Sequence, residues 1–292
     1  MSSTQIEQST DPRVAGLAVR LAAVRAEVSA IGAEVAQVGP ELGVEDLLVL
    51  AGVGQGVVNA AEGVVLLAGA HAASHEHRLT SRGLVEVARP VGFIDAMAPT
   101  EVALVTGSTV GVAGQRVQLG ADLAHRFPRL LAAVLGGGVN AGTARKVVSA
   151  CAGLDVRACG LVEAVLVDRL PDLDPSRVAT VARRVAHRVA PAQAAAETTR
   201  NRRGRCVEVS PGPDGTTTWW ASLPAADSAV AWSAITTLAQ EYQTADPSLS
   251  VDQARADAMV DLLLHHVTVT ANVTLGIPVV TTGVGDLDDR PA

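Results

Sequence analysis

A chain of 292 residues and 29.8 kDa is long enough to bury about three quarters of its unfolded surface, and it accommodates one large or two modest domains. Hydrophobic residues make up 48% but aromatics only 2%, so Ala, Val and Leu must fill the core, which favours closely packed helices over an aromatic-lined ligand pocket. The net charge of −7 argues against indiscriminate nucleic-acid binding, yet it conceals an asymmetry: residues 177–205 carry eight arginines against Glu197, for +7, whereas residues 206–292 carry eleven acids against Arg255 and Arg290, for −9.

The first element in chain order is a helix with an a/d seam: Val14, Leu17, Leu21, Val24, Val28, Ile31, Val35 and Val38 alternate spacings of three and four. Asp11-Pro12 starts it and Gly39-Pro40 stops it. A second helix is expected from about Glu45 to Arg78, its glycines allowing close approach to a neighbour. The pair reads as an antiparallel hairpin within one chain, or the seam reads as a parallel homodimer through residues 14–38.

Short helices are expected over residues 99–150, with a start at Pro99-Thr100-Glu101, a turn at Ser108-Thr109, a helix through Arg126, a stop at Gly136-Gly137-Gly138, and a further helix from Asn140 to Cys151. Asp155 to Leu170 continues the pattern, Asp174-Pro175 caps the helix carrying Arg183, Arg184, His187 and Arg188, and Pro191 opens the next, which ends at Gly204. Alternation then replaces helical periodicity. Cys206–Val209 and Thr216–Leu223 form a hairpin around Pro213-Asp214-Gly215. Helices from about Ala225 to Gln243, with Val230, Ile235 and Leu238 inward, and from Asp252 to His265 precede a third strand, Val267–Val273, and a Gly- and Asp-rich tail. The fold class is α+β, mainly α: a multi-helix body with an N-terminal heptad helix, followed by a small β-β-α-α-β module. The expected divisions are a helical hairpin over 1–79, a helical body over 80–204, the small module over 205–280 and a flexible tail over 281–292.

Cys151, Cys159 and Cys206 are odd in number and lack CxxC spacing, so neither a disulfide framework nor a zinc cage is indicated. The N-terminus lacks a basic segment followed by an apolar run. Residues 47–70 and 262–285 mimic membrane spans, but polar residues or proline interrupt both. A cytoplasmic chain without membrane contact is expected, with no cofactor and no metal.

The hairpin RCVEVSPGPDGTTTWWASLP (205–224) and the stretch SVDQARADAMVDLLL (250–264) together resemble the actinobacterial domain of unknown function 222, the thirteen-E-twelve repeat family. The likeness covers most of residues 80–280 and includes the paired-helix pattern over 101–148. Its signature residues here are Asp214 and Gly215 at the hairpin turn, and Asp252, Gln253, Arg255 and Asp257; Ala254 stands where relatives usually carry a first arginine. The resemblance implies a helical domain that ordinarily precedes an HNH endonuclease domain. An HNH site needs a histidine general base and further His or Asn residues around one divalent metal. After Arg255 this chain offers only His265 and His266, adjacent in sequence, so it is expected not to cut DNA alone; a truncated nuclease, or a partner chain supplying the nuclease, is a further reading.

The arginine block carries the clearest chemistry. Arg177, Arg184 and Arg188 share one helix face, and Arg200, Arg202, Arg203 and Arg205 follow at the next helix end. Guanidinium groups match phosphate oxygens in a bidentate manner, so the strip suits a nucleic-acid backbone; the competing explanation is pairing with the acidic module. Residues 101–120 also fit a helix-turn-helix with Gln115, Arg116 and Gln118 as base or phosphate contacts, a pattern that ordinary helix packing satisfies equally. His71 and His75 would face one way on a single helix, either as metal ligands or as a solvated polar face. Asp252 and Arg255 are three apart and can pair, while Asp257 and Asp261 share a face, as metal ligands or, structurally, as partners of Arg205 or of a helix start. Trp219, Trp220 and Trp232 are expected to anchor the core of the small module. Two functions follow from different premises: a DNA-engaging accessory to a nuclease, or an oligomeric scaffold or regulator that never touches nucleic acid.

Overall fold

The computed structural model describes residues 11–81, 83–212 and 215–265. Their contacts divide the chain into two units, Met1–Asn201 and Arg202–Ala292. The described residues form eleven α-helices and two two-stranded antiparallel sheets, an α+β fold that is mainly α.

The first unit opens with α1 (Pro12–Val38), where Asp11 caps the helix through the backbone N–H of Arg13. A 3₁₀ turn (Gly39–Glu41) leads into α2 (Val44–Ala73). No packed hairpin closes between the two helices. No residue of α1 is buried, and the seam residues Val14 to Ile31 are 45–56% exposed. In α2 burial begins only at Asn59 and continues through Gly63, Leu66, Gly69, Ala70 and Ala73.

The second helix also stops earlier than its composition suggests. Ser74 turns its N–H and hydroxyl back onto the His71 carbonyl, and the chain leaves as β1 (His75–Thr80), paired antiparallel with β2 (Gly83–Ala88). His75 is therefore on a strand, opposite Ala88, while His71 is on a helix, so the shared helical face for a metal does not form. His75 Nδ1 instead lies 2.5 Å from Glu86, and Glu76 is held 2.5 Å from Arg89. Gly83 takes φ +107°, a left-handed backbone that the tight turn requires.

The core gathers around α4 (Val110–Arg126), whose N-cap Thr109 accepts from Val112 after α3 (Ala98–Thr106) ends at Gly107. Leu66 of α2 packs with Leu119 and Leu123 of α4, with Phe127, and with Leu130 and Val134 of α5 (Pro128–Leu135). The same cluster takes Val147 of α6 (Ala141–Ala150), Val162 of α7 (Val156–Leu166), and Ala182 of α8 (Val178–Val189). A 3₁₀ segment (Val167–Asp172) containing Pro171 continues α7, so the expected single helix to Leu170 is two pieces. Asp174 does not cap α8. With Pro175 following, its carboxylate accepts from Ser176, closing a turn ahead of Arg177, which starts the helix without a side-chain cap. The unit's last helix, α9 (Pro191–Arg203), runs to the boundary.

The second unit contains β3 (Cys206–Pro211) and β4 (Thr217–Ser222), in register with Val209 opposite Trp219 and Glu208 opposite Trp220. Then α10 (Ala225–Ala245) and α11 (Val251–Leu264) pack together through Ala239, Ala254 and Ala258, with Ile235, Leu238 and Tyr242 partly buried around them. Val230 is exposed, not inward. The tryptophans are not core either: Trp219 is 52% exposed, and Trp220 and Trp232 are each 56% exposed. A two-stranded ribbon has two faces, and the described residues of this unit cover neither. Asp214, the third strand over 267–273, His266 and the tail lie outside the described residues.

Helix α4 meets α2 at Gly120, where an added Cβ would fall 2.1 Å from the Leu66 carbonyl oxygen. Gly120→Val should therefore cost about 3 kcal/mol in urea unfolding, with Gly114→Ala, which meets only ordinary contact at Pro99, as the mild control. Glu163 is 3% exposed and accepts the Leu130 N–H at 2.6 Å. Burial raises its pKa above the ordinary glutamate value, so it favours the fold below the ordinary glutamate range and loses that contribution as pH rises through the raised folded value. Glu163→Gln keeps an acceptor without the charge; its stability relative to wild type should rise between pH 4 and 7, measured as paired denaturation curves.

Candidate nucleic-acid interface

The cationic surface of the first unit is built by α8. Val178, Ala182, Val185 and Ala186 face the core, and this leaves Arg183, Arg184, His187 and Arg188 outside it. Helical geometry places Arg177, Arg184 and Arg188 on one face, separated along the axis by about 10 and about 6 Å. None of them forms an ion pair with a described residue of the unit. Asp174 precedes the strip: the Ser176 N–H holds its pKa below the ordinary value, with smaller contributions from Arg177 and Lys146. Lys146 donates to the Pro175 carbonyl at 2.9 Å, which brings a fourth cation to the start of the strip.

Arg183 and His187 occupy a different face of α8. Together with Ser149, Glu197, Thr198 and Asn201 they line a crevice of about 80 Å³. Arg200 is turned into a pair with Glu197 at 2.5 Å on α9, so this member of the arginine block is internally satisfied. In the second unit Arg202, Arg203 and Arg205 are exposed and form no ion pair with the described residues there. Arg205 donates to the Arg202 carbonyl at 3.2 Å, satisfying a free acceptor at the end of α9. Arg202 and Arg205 also line a concavity of about 520 Å³ with Pro224, Ala226 and Asp227.

The helix-turn-helix pattern takes a different form from a groove reader. A reading helix must stand clear enough to enter a major groove. Here α4 is the hub of the core, with α2, α3, α5, α6 and α7 against it. Gln115 accepts from Arg145 of α6 at 3.1 Å, Gln118 donates to Asp122 at 3.0 Å, and Arg116 is half-buried. Gln115, Gln118, Asp122, Arg126, Arg145 and Ser149 line a groove of about 520 Å³ between α4 and α6.

Arg126 closes the floor of that groove. Its guanidinium bonds Asp122 at 2.7 Å and the carbonyls of Cys151 at 2.7 Å and Leu154 at 2.9 Å, tying α4 to the end of α6. Burial opposes the charge, but Asp122 and the Cys159 thiol outweigh it and raise the pKa. Cys151 beside it is fully buried, and burial pushes its thiol up to about 12, so it is a packed side chain and not a nucleophile.

The residues of the 250–264 stretch are occupied with holding the second unit together. Ser250 and Gln253 form a reciprocal capping box at the start of α11. Ala254 and Ala258 are fully buried against α10. Arg255 pairs with Asp252 at 3.4 Å and lies 5.1 Å above the Trp232 ring. Asp261 accepts the Tyr242 hydroxyl, and Asp257 is exposed. Asp252 and Asp261 thus meet an arginine and a ring hydroxyl of their own unit. Gly215, with φ +76°, sits at the end of the hairpin turn. Arg126 and Glu163 lie singly within helical patterns and carry no motif, so no sequence signal marks either one.

Fold and surface define a helical body bearing an arginine-lined face, joined to a hairpin and helix-pair unit whose recognisable stretch carries a capping box and the α10–α11 contact. Residues 70–281 match the family described as Domain of unknown function (DUF222), and the chain belongs to that family. No curated protein and no solved structure matches the chain.

The two kinds of arginine should separate by experiment. Arg126→Ala leaves several buried acceptors unmet and should destabilise the chain by about 3 kcal/mol, whereas Arg184→Ala should stay within about 0.5 kcal/mol of wild type in the same denaturation. Ala254→Leu, which overfills the α10–α11 contact, should cost about 2 kcal/mol and give a lower-melting transition by calorimetry.

Proposed function

We propose that this chain is a non-catalytic, DNA-engaging accessory domain of an HNH-endonuclease-associated family, acting in the cytoplasm beside a nuclease domain or partner chain. The supporting observation is the α8 face: Arg177, Arg184 and Arg188 are aligned on one side of the helix, clear of its buried face, and without an ion-pair partner among the described residues of their unit. One DNA strand carries a charge every ~3.4 Å of axis, so arginines spaced at about 6 and 10 Å along a helix reach phosphates two or three apart. Nothing in such a strip distinguishes bases, so the binding is to the backbone and independent of sequence. The non-catalytic reading is supported by the 250–264 stretch, where the acids with partners serve a ring hydroxyl and an arginine and the polar pair at its start serves a cap.

Fluorescence anisotropy with a duplex of about 20 base pairs tests the reading. Affinity should fall as salt rises, and replacing Arg177, Arg184 and Arg188 together with Gln should flatten the log–log salt slope by about 3. An absence of low-salt affinity, or a slope unchanged by the triple substitution, would remove DNA from the account. Metal-dependent nicking by the purified chain, abolished by chelator, would remove the word non-catalytic.

A further inference from the structure

We infer that α1 pairs with α1 of a second copy of this chain in antiparallel orientation, with the amino-terminal half of α2 completing the interface; the inference is independent of the nucleic-acid reading. The uncovered aliphatic surface is long and continuous in sequence. It begins at Val14, runs along the seam to Val38, and resumes at Val44 of α2, where Leu48, Val49 and Val53 are 65–66% exposed. Burial of α2 begins at Asn59, so the first half of the helix has no covering element among the described residues. Soluble monomers rarely leave contiguous apolar patches above a few hundred Å². A 27-residue helix is about 40 Å long, and a seam about 10 Å wide supplies roughly 400 Å² per copy. A stable interface needs about 800 Å² per partner, so the seam alone is too small and the exposed face of α2 makes up the difference.

Charge identifies the occupant and its direction. The first half of α1 carries Arg13, Arg20 and Arg25, and the second half carries Glu27 and Glu34, followed by Glu41 in the 3₁₀ turn. Among the described residues only Arg13 of these has an ion-pair partner, Asp11 at 2.6 Å. With Val14 at position a, Arg20, Glu27 and Glu34 fall at g and Arg25 at e. A parallel pair would set Arg20 against Arg25 of the other copy, twice, with no compensating contact. An antiparallel pair flanks g with g, so Arg20 meets Glu34 of the other copy at both ends, and like charges meet only at the two-fold, through Arg25 and Glu27. The opposed helix dipoles favour the same direction, and the arrangement closes as an isologous dimer.

Light scattering on the full chain after size exclusion, backed by sedimentation equilibrium, tests this. The expected mass is twice 29.8 kDa. Leu21→Asp with Val28→Asp should yield monomer with unchanged far-UV circular dichroism, because no residue of α1 is buried by the described residues of its own copy. Arg20→Glu should weaken the dimer about 3- to 10-fold, and adding Glu34→Arg should restore it. A parallel pair predicts the opposite, since the introduced carboxylate would then meet Arg25 of the other copy, and a tighter Arg20→Glu dimer overturns the proposal. It is equally overturned by a wild-type monomer at high concentration, by a dimer indifferent to the Leu21 and Val28 substitutions, or by a monomer that floats with phosphatidylcholine–phosphatidylglycerol vesicles. The vesicle arm is needed because α2 is long and apolar enough to cross a membrane.

Discussion

The first unit depends on how closely the carboxyl half of α2 can approach α4. At Gly120 the two helices are near enough that any side-chain carbon would strike the Leu66 carbonyl. The same helix is gripped from the α5 side, where Gly63 lies against Leu135 and Val134, and at Gly137, whose φ of +80° and position over the Gly56 carbonyl leave no room for Cβ. Asn59 then donates to the Gly137 carbonyl at 2.9 Å, so the contact is polar as well as tight. A sequence with 2% aromatics has few large side chains to fill space between distant helices. Bringing backbones together is the alternative, because dispersion attraction grows as gaps close. Phe127 is the one fully buried aromatic among the described residues, at the junction of α4 and α5.

Around that approach, one buried and one half-buried charged group are used to end helices. Glu163 of α7 receives the Leu130 N–H in the first turn of α5, and Arg126 of α4 collects carbonyls at the end of α6. Each charge sits where a helix terminus presents the opposite partial charge, which offsets part of its desolvation. Arg126 and the arginines of α8 therefore share a chemistry but not a role. The first is enclosed by acceptors of its own fold, whereas the others project from a helix whose inner face is Val and Ala.

Much of this order was legible in the residues. Asp11, Thr109, Asn140 and Asp155 each precede a helix and each accepts from its first turn, and the Ser250–Gln253 pair marks α11 with a capping box. The hairpin of β3 and β4 was visible as alternation around a Gly turn. The hairpin of β1 and β2 was not, because His75–Thr80 carries one aliphatic residue, Leu79, and continues a helical run without a breaker before Ser74. Its partner GLVEVA holds the alternation, and only pairing across the turn at Gly83 makes the first strand worth forming. Trp219 and Trp220 misled for a related reason: size predicts burial only where a second layer exists, and the described residues of that unit supply none over the ribbon. Among the candidate site residues, shared faces on α8 followed from spacing, and so did the pairs Arg200–Glu197 and Arg255–Asp252, whose partners lie three residues away on the same helix.

The contrast between α1 and α2 shows how far composition alone misjudges a helix. Both are aliphatic, and the glycines of α2 suggest close packing along its whole length. Gly52 and Gly54 meet nothing, whereas Gly56, Gly63 and Gly69 meet the chain. The change along α2 coincides with Asn59, the first buried residue and the first to bond a distant backbone carbonyl. Beyond it the helix belongs to the core. Before it, with α1, lie aliphatic side chains that folding of a single described chain leaves facing water, an arrangement that costs hydrophobic free energy unless a further surface covers them. The structural division within α2 therefore falls inside one continuous helix, not at a loop, and a register set by Gly63 and Gly120 at one end fixes the direction in which the uncovered end projects.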